Sequence, residues 1–164
     1  GKTSILFPPF VKIVEVSSAK DMFEAVKGIH KNQDIIIKAA AVADYSPKFE
    51  SNEKVKKKDD DLSIELKKTD DILQYLGNNR RDSQFLCGFS METENMVENS
   101  VKKLEKKRVD MIVANNLKEE GAGFGTDTNL VTFITKDEII KLPIMTKEEV
   151  SKKLIDFILN KSNK

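Results

Sequence analysis

The sequence predicts an α/β domain on a mostly parallel sheet with an antiparallel extension. Short β-branched runs alternate with segments of helical apolar period, the pattern of βαβ units. Each helical segment is preceded by a residue able to cap it. The chain has 164 residues, 39% of them apolar, enough for one core.

The elements follow in order. Residues 11–16 (Val-Lys-Ile-Val-Glu-Val) alternate with period two, as a half-buried strand does. Ser18 caps a helix with Met22, Val26 and Ile29 on one face. Residues 34–41 contain Ile35, Ile36 and Ile37, a run suited to a strand covered on both faces. Residues 62–66 alternate more cleanly and are expected at an edge or in the antiparallel extension. Asp70 or Asp71 opens a short helix through Leu73 and Leu76, which Gly77 closes. Residues 84–89 read as a second buried strand. Thr93 then caps a longer helix with the stripe Val97, Val101 and Leu104. Residues 110–115 form another buried strand, and 130–134 another cleanly alternating one. Thr146 and Glu149 have capping-box spacing ahead of Val150, Leu154, Phe157 and Ile158. No repeat or linker divides residues 1–164.

Composition removes several function classes. With 28 Lys and Arg against 27 Asp and Glu, the net charge is +1. There is then no global field of the kind a general nucleic-acid or membrane-surface binder uses. No apolar run approaches the roughly 18 residues of a membrane span, and no signal peptide opens the chain. Cys87 is the only cysteine, which excludes internal disulfides and cysteine-cluster zinc. His30 is the only histidine, which leaves a Ser-His-Asp triad or a two-histidine metal site without support. A cytoplasmic domain is expected. The start Gly1-Lys2-Thr3 reads as a processed chain or a fragment, and the Lys-rich end as a solvated tail.

In an open parallel sheet, ligands bind beyond the carboxyl ends of the strands. One such end reads Ala39-Ala40-Ala41-Val42-Ala43-Asp44-Tyr45-Ser46-Pro47. Its small residues permit close approach and Asp44 offers a carboxylate; the alternative is an Asp that caps a turn before Pro47. Phe89, at another strand end, can flank a base or simply pack in the core. Lys103 and Lys107 share a helix face, a spacing that costs a few tenths of a kcal/mol unless an anion lies between them. Solvation is the bland account of both. Residues 50–68 are dense in both charge signs and read on composition as a solvated loop or hairpin. Gly121-Ala122-Gly123-Phe124-Gly125 is not a dinucleotide fingerprint, because it runs into a strand rather than a helix. Cys87 reads as an inert buried thiol and His30 as structural or solvated. These patterns reach a phosphate-friendly rim and stop there.

The motifs together resemble phosphopantothenoylcysteine synthetase, the ligase half of a bifunctional coenzyme A biosynthesis flavoprotein. Ala40-Ala41-Val42-Ala43-Asp44-Tyr45-Ser46-Pro47 matches the family's Ala-Ala-Val-Ala-Asp-Tyr-x-Pro, and Lys54-Val55-Lys56-Lys57 its Lys-Ile-Lys-Lys flap. Lys68-Thr69-Asp70-Asp71-Ile72-Leu73 is similar to Lys-Asn-Pro-Asp-Ile-Leu, with Asp70 in place of Pro. Gly88-Phe89-Ser90-Met91-Glu92-Thr93 is similar to Gly-Phe-Ala-Ala-Glu-Thr, and Ala114-Asn115-Asn116 to Ala-Asn-Asp. Gly123-Phe124-Gly125-Thr126-Asp127-Thr128-Asn129 resembles the late Gly-Phe-Gly-Ser-Asp-x-Asn loop. Six motifs fall in the family's order across residues 11–158.

The resemblance implies a Rossmann-like three-layer fold and a ligase of coenzyme A biosynthesis. The carboxylate of 4′-phosphopantothenate would be activated by CTP, with ATP the alternative, and then joined to L-cysteine. By carry-over, Lys54 is the catalytic residue, on a flap around residues 48–61. Asp44, Lys54, Asp70, Asp71, Ile72, Leu73, Phe89, Lys103 and Lys107 bind the nucleotide; Ala40, Ala41 and Asn115 bind substrate. Mg²⁺ is expected with the triphosphate, and no metal-ligating residue is assigned. A homodimer is expected, through the strands around 62–66 and 130–134, along with a fused or separate flavin-dependent decarboxylase. The family's opening strand, Gly-rich turn and intermediate-supporting Asn would precede Gly1, so the chain reads as the synthetase's C-terminal part. The competing reading is a non-catalytic nucleotide-binding or regulatory subunit of the same fold.

Overall fold

The computed structural model describes residues 7–49, 51, 53–56, 62–92, 94–116 and 126–162. In chain order these form α1 (Ala19–Ile29), a 3₁₀ turn (His30–Asn32), β1 (Ile35–Lys38), β2 (Tyr45–Pro47), β3 (Leu66–Lys68), α2 (Ile72–Asn79), β4 (Phe85–Glu92), α3 (Met96–Lys107), β5 (Met111–Asn116), β6 (Thr128–Asn129), β7 (Val131–Thr135), β8 (Ile139–Lys141), β9 (Met145–Thr146) and α4 (Lys147–Ser162). They divide into two compact units: Gly1–Gly28 with Ala41–Ile72, and Ile29–Ala40 with Leu73–Lys164.

The second unit holds a five-stranded sheet in the order β1-β4-β5-β7-β8. β1, β4 and β5 run parallel, while β7 and β8 add antiparallel strands at one side. Strand side chains alternate between faces. On one face Cys87, Met111, Val113, Val131 and Phe133 pack with Val150, Leu154 and Ile158 of α4. On the other, Leu73 of α2 lies over Gly88, and the buried Ser90 and Ser100 hydroxyls join β4 to α3 at 3.1 Å. A helix on one face and a helix pair on the other make the expected three layers around a mostly parallel sheet. Each fully buried Leu, Ile or Val contributes about 1.5–3 kcal/mol.

Local chemistry sets the helix starts. Thr146 donates through its N–H and its hydroxyl to the Glu149 carboxylate, both at 2.8 Å, and the Glu149 N–H returns to Thr146 Oγ1 at 3.2 Å. Ser18 and Asp21 form the same reciprocal pair at the start of α1, at 2.9 and 3.1 Å. At the amino-terminal edge of the sheet, Arg80 holds Asp110 through both guanidinium nitrogens. Asp110 also accepts from the Leu86 N–H at 2.7 Å, so one carboxylate ties the end of α2 to the starts of β4 and β5.

Several expectations are corrected. Residues 11–16 form no strand: all but Val16 are exposed, and among the described residues no neighbour receives a ladder from them. Ile35, Ile36 and Ile37 are half-buried rather than covered on both faces, because β1 is the sheet's edge. Of residues 62–66 only Leu66 enters a strand, β3. Residues 130–134 map onto β7, in the antiparallel extension that is the second of the two places expected for them, between β5 and β8. Gly77 sits inside α2 rather than closing it. A Cβ there would lie 1.8 Å from the Lys107 carbonyl oxygen, so Gly77 answers a close approach of two helices, not a left-handed turn. Thr93 lies outside the described residues; Asn95, with φ 48°, precedes α3 and makes no side-chain cap. Val97 and Val101 are half-buried and Leu104 is buried, as expected.

In the first unit, Met22 and Val26 of α1 are half-buried; Ile29, which ends α1 and begins the second unit, is exposed. β2 and β3 pair antiparallel, Tyr45 opposite Lys68 and Pro47 opposite Leu66. Beyond that ladder the Lys48 N–H donates to the Glu65 carbonyl, and Lys48 Nζ meets the Glu65 carboxylate, each at 2.9 Å. Both ends of the segment carrying Lys54 are therefore tied to each other.

Candidate functional site

Because β1, β4 and β5 are parallel, their carboxyl ends share one edge of the sheet, where an α/β fold binds ligands. Within the second unit this edge carries Ala40 just after β1, residues 89–92 at the end of β4, and Asn115 near the end of β5. Ala40 is exposed, and its carbonyl accepts from Lys38 Nζ at 2.7 Å.

The sheet separates the predicted residues by face. Phe89 is half-buried against the α4-side core, so the aromatic ring is in part core packing. Asn115 lies on that same side, opposite Met91 in the ladder with β4. It is 8% exposed, and its Oδ1 is buried with no hydrogen-bond partner among the described residues. An unmet buried acceptor costs about 1–3 kcal/mol, so this oxygen has capacity for a donor beyond the described residues.

The other face carries the cations. Lys103 Nζ lies 3.3 Å from Glu92 Oε1, with side-chain exposures of 36% and 16%. Asn99 Nδ2, one turn earlier on α3, reaches Glu92 Oε2 at 3.4 Å and the Glu94 carbonyl at 3.0 Å. Lys107 stands one turn beyond Lys103, and its turn packs on α2: Gln74 Nε2 donates to the Lys106 carbonyl at 3.2 Å, and Gly77 abuts Lys107. The structure thus brings Gln74 and Gly77 of α2 beside the turn carrying Lys107. Leu73 is 6% exposed and points at Gly88 and Ile112. Its side chain is core, so only its backbone can face a ligand.

The first unit holds the remaining predicted residues. Asp44 is exposed, and the fold uses its backbone carbonyl, which accepts from the Thr69 N–H at 3.0 Å. Thr69 Oγ1 donates to the neighbouring Ala43 carbonyl at 2.5 Å. No hydrogen bond of the Asp44 carboxylate caps this turn among the described residues, which leaves that group at the surface. Ala41, Lys54, Asp70 and Asp71 are exposed, and Ile72 is buried as the first residue of α2. Of the Lys-rich motif, Lys54, Val55 and Lys56 are exposed while Lys57 lies outside the described residues. The glycine-rich stretch 121–125 also lies outside them.

Sequence reasoning missed Glu92, Gln74 and Gly77. Glu92 stood in a quoted motif, but its partner is eleven residues on and becomes visible only when the strand turns into α3. Cys87 is as inert as expected, since burial pushes its thiol up to about 12. A cavity of about 670 Å³ opens at the opposite end of the sheet, lined by Val101, Leu104, Arg108, Val109 and the turn 135–139, and none of the predicted residues line it. Among the described residues no group of three or more His, Cys, Asp or Glu could hold a metal ion, and no helix is long and apolar enough to cross a membrane.

Comparison with known proteins gives a consistent set. Residues 1–161 match the family described as the DNA/pantothenate metabolism flavoprotein C-terminal domain. The coenzyme A biosynthesis bifunctional protein CoaBC of Bacillus subtilis (strain 168) is 46% identical over 148 residues, 90% of this chain and 36% of that protein. A protein named cysteine/cysteine sulfinic acid decarboxylase, from an unknown prokaryotic organism, is 41% identical over 150 residues, 91% of this chain and 42% of that protein. The crystal structure of the C-terminal domain of coenzyme A biosynthesis bifunctional protein CoaBC matches with a TM-score of 0.76 and 45% identity, covering 96% of this chain and 71% of that one. The chain spans about two fifths of the length of these curated relatives.

Proposed function

This chain belongs to the DNA/pantothenate metabolism flavoprotein C-terminal domain family, and we propose from that membership that it is the nucleotide-binding part of a phosphopantothenate–cysteine ligase of coenzyme A biosynthesis. The observation that supports the reading is Lys103, paired with Glu92 at the carboxyl edge of the parallel strands, where a sheet of this kind takes its ligands.

The chemistry follows from what a carboxylate lacks. It is a poor acyl donor because oxide is a poor leaving group. In the proposed first step a carboxylate oxygen of 4′-phosphopantothenate attacks the α-phosphorus of CTP, the bond to the β-phosphate oxygen breaks, and pyrophosphate leaves. In the second, the amine of L-cysteine attacks the acyl carbon of that acyl-cytidylate, CMP leaves with the bonding pair, and the amine loses a proton. Neither step demands a histidine. Both demand fixed positive charge and exact placement of reactants, which suits a rim rich in lysine.

The roles divide by position. Lys103 and Lys107 neutralise phosphate oxygens. Lys54, on a segment tied at both ends, meets the charge that develops at the α-phosphate. Asn115 Oδ1 accepts from an N–H or O–H of the bound ligand, and Ala40 and Ala41 let it come close. Ile72 and Leu73 contribute backbone only, Asp44, Asp70 and Asp71 polar contacts, and Phe89 the exposed part of its ring. Mg²⁺ would come with the triphosphate and offset its charge, which asks for no group of three or more acidic or His/Cys ligands, and among the described residues there is none. The wider proposal includes CTP over ATP, a homodimer, a cytoplasmic location, and a decarboxylase in the remainder of the full-length protein.

The test is Lys54→Ala in the full-length protein, assayed for pyrophosphate release from CTP and phosphopantothenate. Loss of one favourable electrostatic contact at the reacting centre lowers the rate about 10²–10³-fold; unchanged turnover refutes the assignment. Nucleotide binding without turnover in the unaltered full-length protein favours the non-catalytic subunit instead.

A further inference from the structure

We propose that Gly77 is a positioning residue of the nucleotide site: its missing side chain seats the last turn of α3, and with it Lys107 and Lys103, against α2. The inference rests on the assignment of those lysines to the nucleotide and adds the device that places them.

Three observations converge. A Cβ at Gly77 would lie 1.8 Å from the Lys107 carbonyl oxygen, 2.9 Å from its carbonyl carbon and 3.3 Å from the Arg108 carbonyl oxygen. These are backbone atoms, so no rotamer change relieves the clash; the end of α3 must move by more than an ångström. Second, Gly77 lies three residues after Gln74, on the same face of α2, and Gln74 fastens the adjacent Lys106 carbonyl at 3.2 Å. Contact and hydrogen bond therefore act on consecutive peptides. Third, the α3 chain turns sharply just past this point. Arg108 has φ 54°, and its N–H bonds back to the Glu105 and Leu104 carbonyls. The last turn is thus closed by its own cap and located by α2, not by the sheet alone.

Glycine is a poor helix residue, so its presence inside α2 calls for a reason, and the contact supplies one. A shift of the α3 end is carried along the helix to Lys103, whose partner Glu92 stands at the carboxyl edge of the sheet, and misplacing a binding group by an ångström is costly.

The experiment compares Gly77→Ala, Gln74→Ala and Lys107→Ala in the full-length protein, measuring KM separately for CTP, ATP, phosphopantothenate and cysteine. Gly77→Ala is expected to raise the nucleotide KM about tenfold while leaving the other two within about twofold. Gln74→Ala, which removes the fastening without a clash, should raise it in the same sense by about threefold, and it carries the test if Gly77→Ala does not fold. A nucleotide KM raised by Lys107→Ala but by neither α2 variant overturns the positioning role and leaves the lysine assignment standing. A nucleotide KM that Lys107→Ala does not move overturns both. A uniform fall in activity at unchanged KM values assigns Gly77 to folding alone and also overturns the proposal.

Discussion

Glu92, the last residue of β4, holds Lys103 of α3 by an ion pair of 3.3 Å, and Asn99 takes the second oxygen of the same carboxylate. The pair sits at the carboxyl edge of the parallel strands; under the proposed function the carboxylate orients the ammonium for phosphate. Glu92→Ala should weaken nucleotide binding about two- to fivefold by calorimetry, the scale of a partly exposed ion pair. Glu92→Gln keeps one acceptor oxygen for the lysine and should lose less. Equal affinity in all three proteins would show that Lys103 needs no orientation.

Asn115 makes a different prediction, because its Oδ1 is buried and has no hydrogen-bond partner among the described residues. Replacing it with the similarly sized Leu removes an unsatisfied acceptor. Asn115→Leu should unfold at an equal or higher urea concentration, by about 1 kcal/mol, yet bind ligand at least about tenfold more weakly. A variant that loses stability and keeps its affinity would assign Asn115 to the framework.

The capping box at α4 should be visible in the pH dependence of stability. Hydrogen bonds from the Thr146 N–H and then its hydroxyl hold the Glu149 carboxyl below its ordinary value of 4.5. A depressed folded value means the contribution is present above 4.5 and lost as pH falls through the folded value. Thr146→Ala should cost about 1 kcal/mol at neutral pH, and the difference from the unaltered protein should shrink on acidification below 4.5. A pH-independent difference in chemical denaturation would contradict this.

Gly88→Ala tests the packing between β4 and α2. The new methyl would lie 2.6 Å from Leu73 Cδ2 and 3.2 Å from Ile112 Cδ1. Leu73 can rotate but is buried, so the cost should be about 1–3 kcal/mol. Thermal unfolding at an unchanged temperature would mean that α2 yields freely.

What the sequence made legible was what its own short range decides. The boxes at Ser18 and Thr146 connect residues three apart, and the buried runs of β4 and β5 carry their pattern internally. Gly77 was misread because a local rule makes glycine a helix terminator, whereas the reason lies thirty residues away in Lys107. Residues 11–16 have a strand's alternation but no partner among the described residues, and alternation cannot supply one. Ile35, Ile36 and Ile37 look like an interior strand, because apolar content does not reveal which strand ends a sheet. At the site, motif resemblance named Lys103 and Asn115. It could not show that Glu92 already engages one, or that the sheet puts the two on opposite faces.

The tie between Lys48 and Glu65 makes the intervening stretch a tether anchored at both feet. Lengthening such a tether is thermodynamically cheap, roughly 0.6 kcal/mol per doubling, while the local concentration of anything it carries falls about as the −3/2 power of its length. Extra residues inserted between 48 and 65 would barely affect folding, yet would dilute the Lys54 ammonium around the tether's base. Under the role proposed for Lys54, such insertions are expected to slow turnover with every side chain left in place.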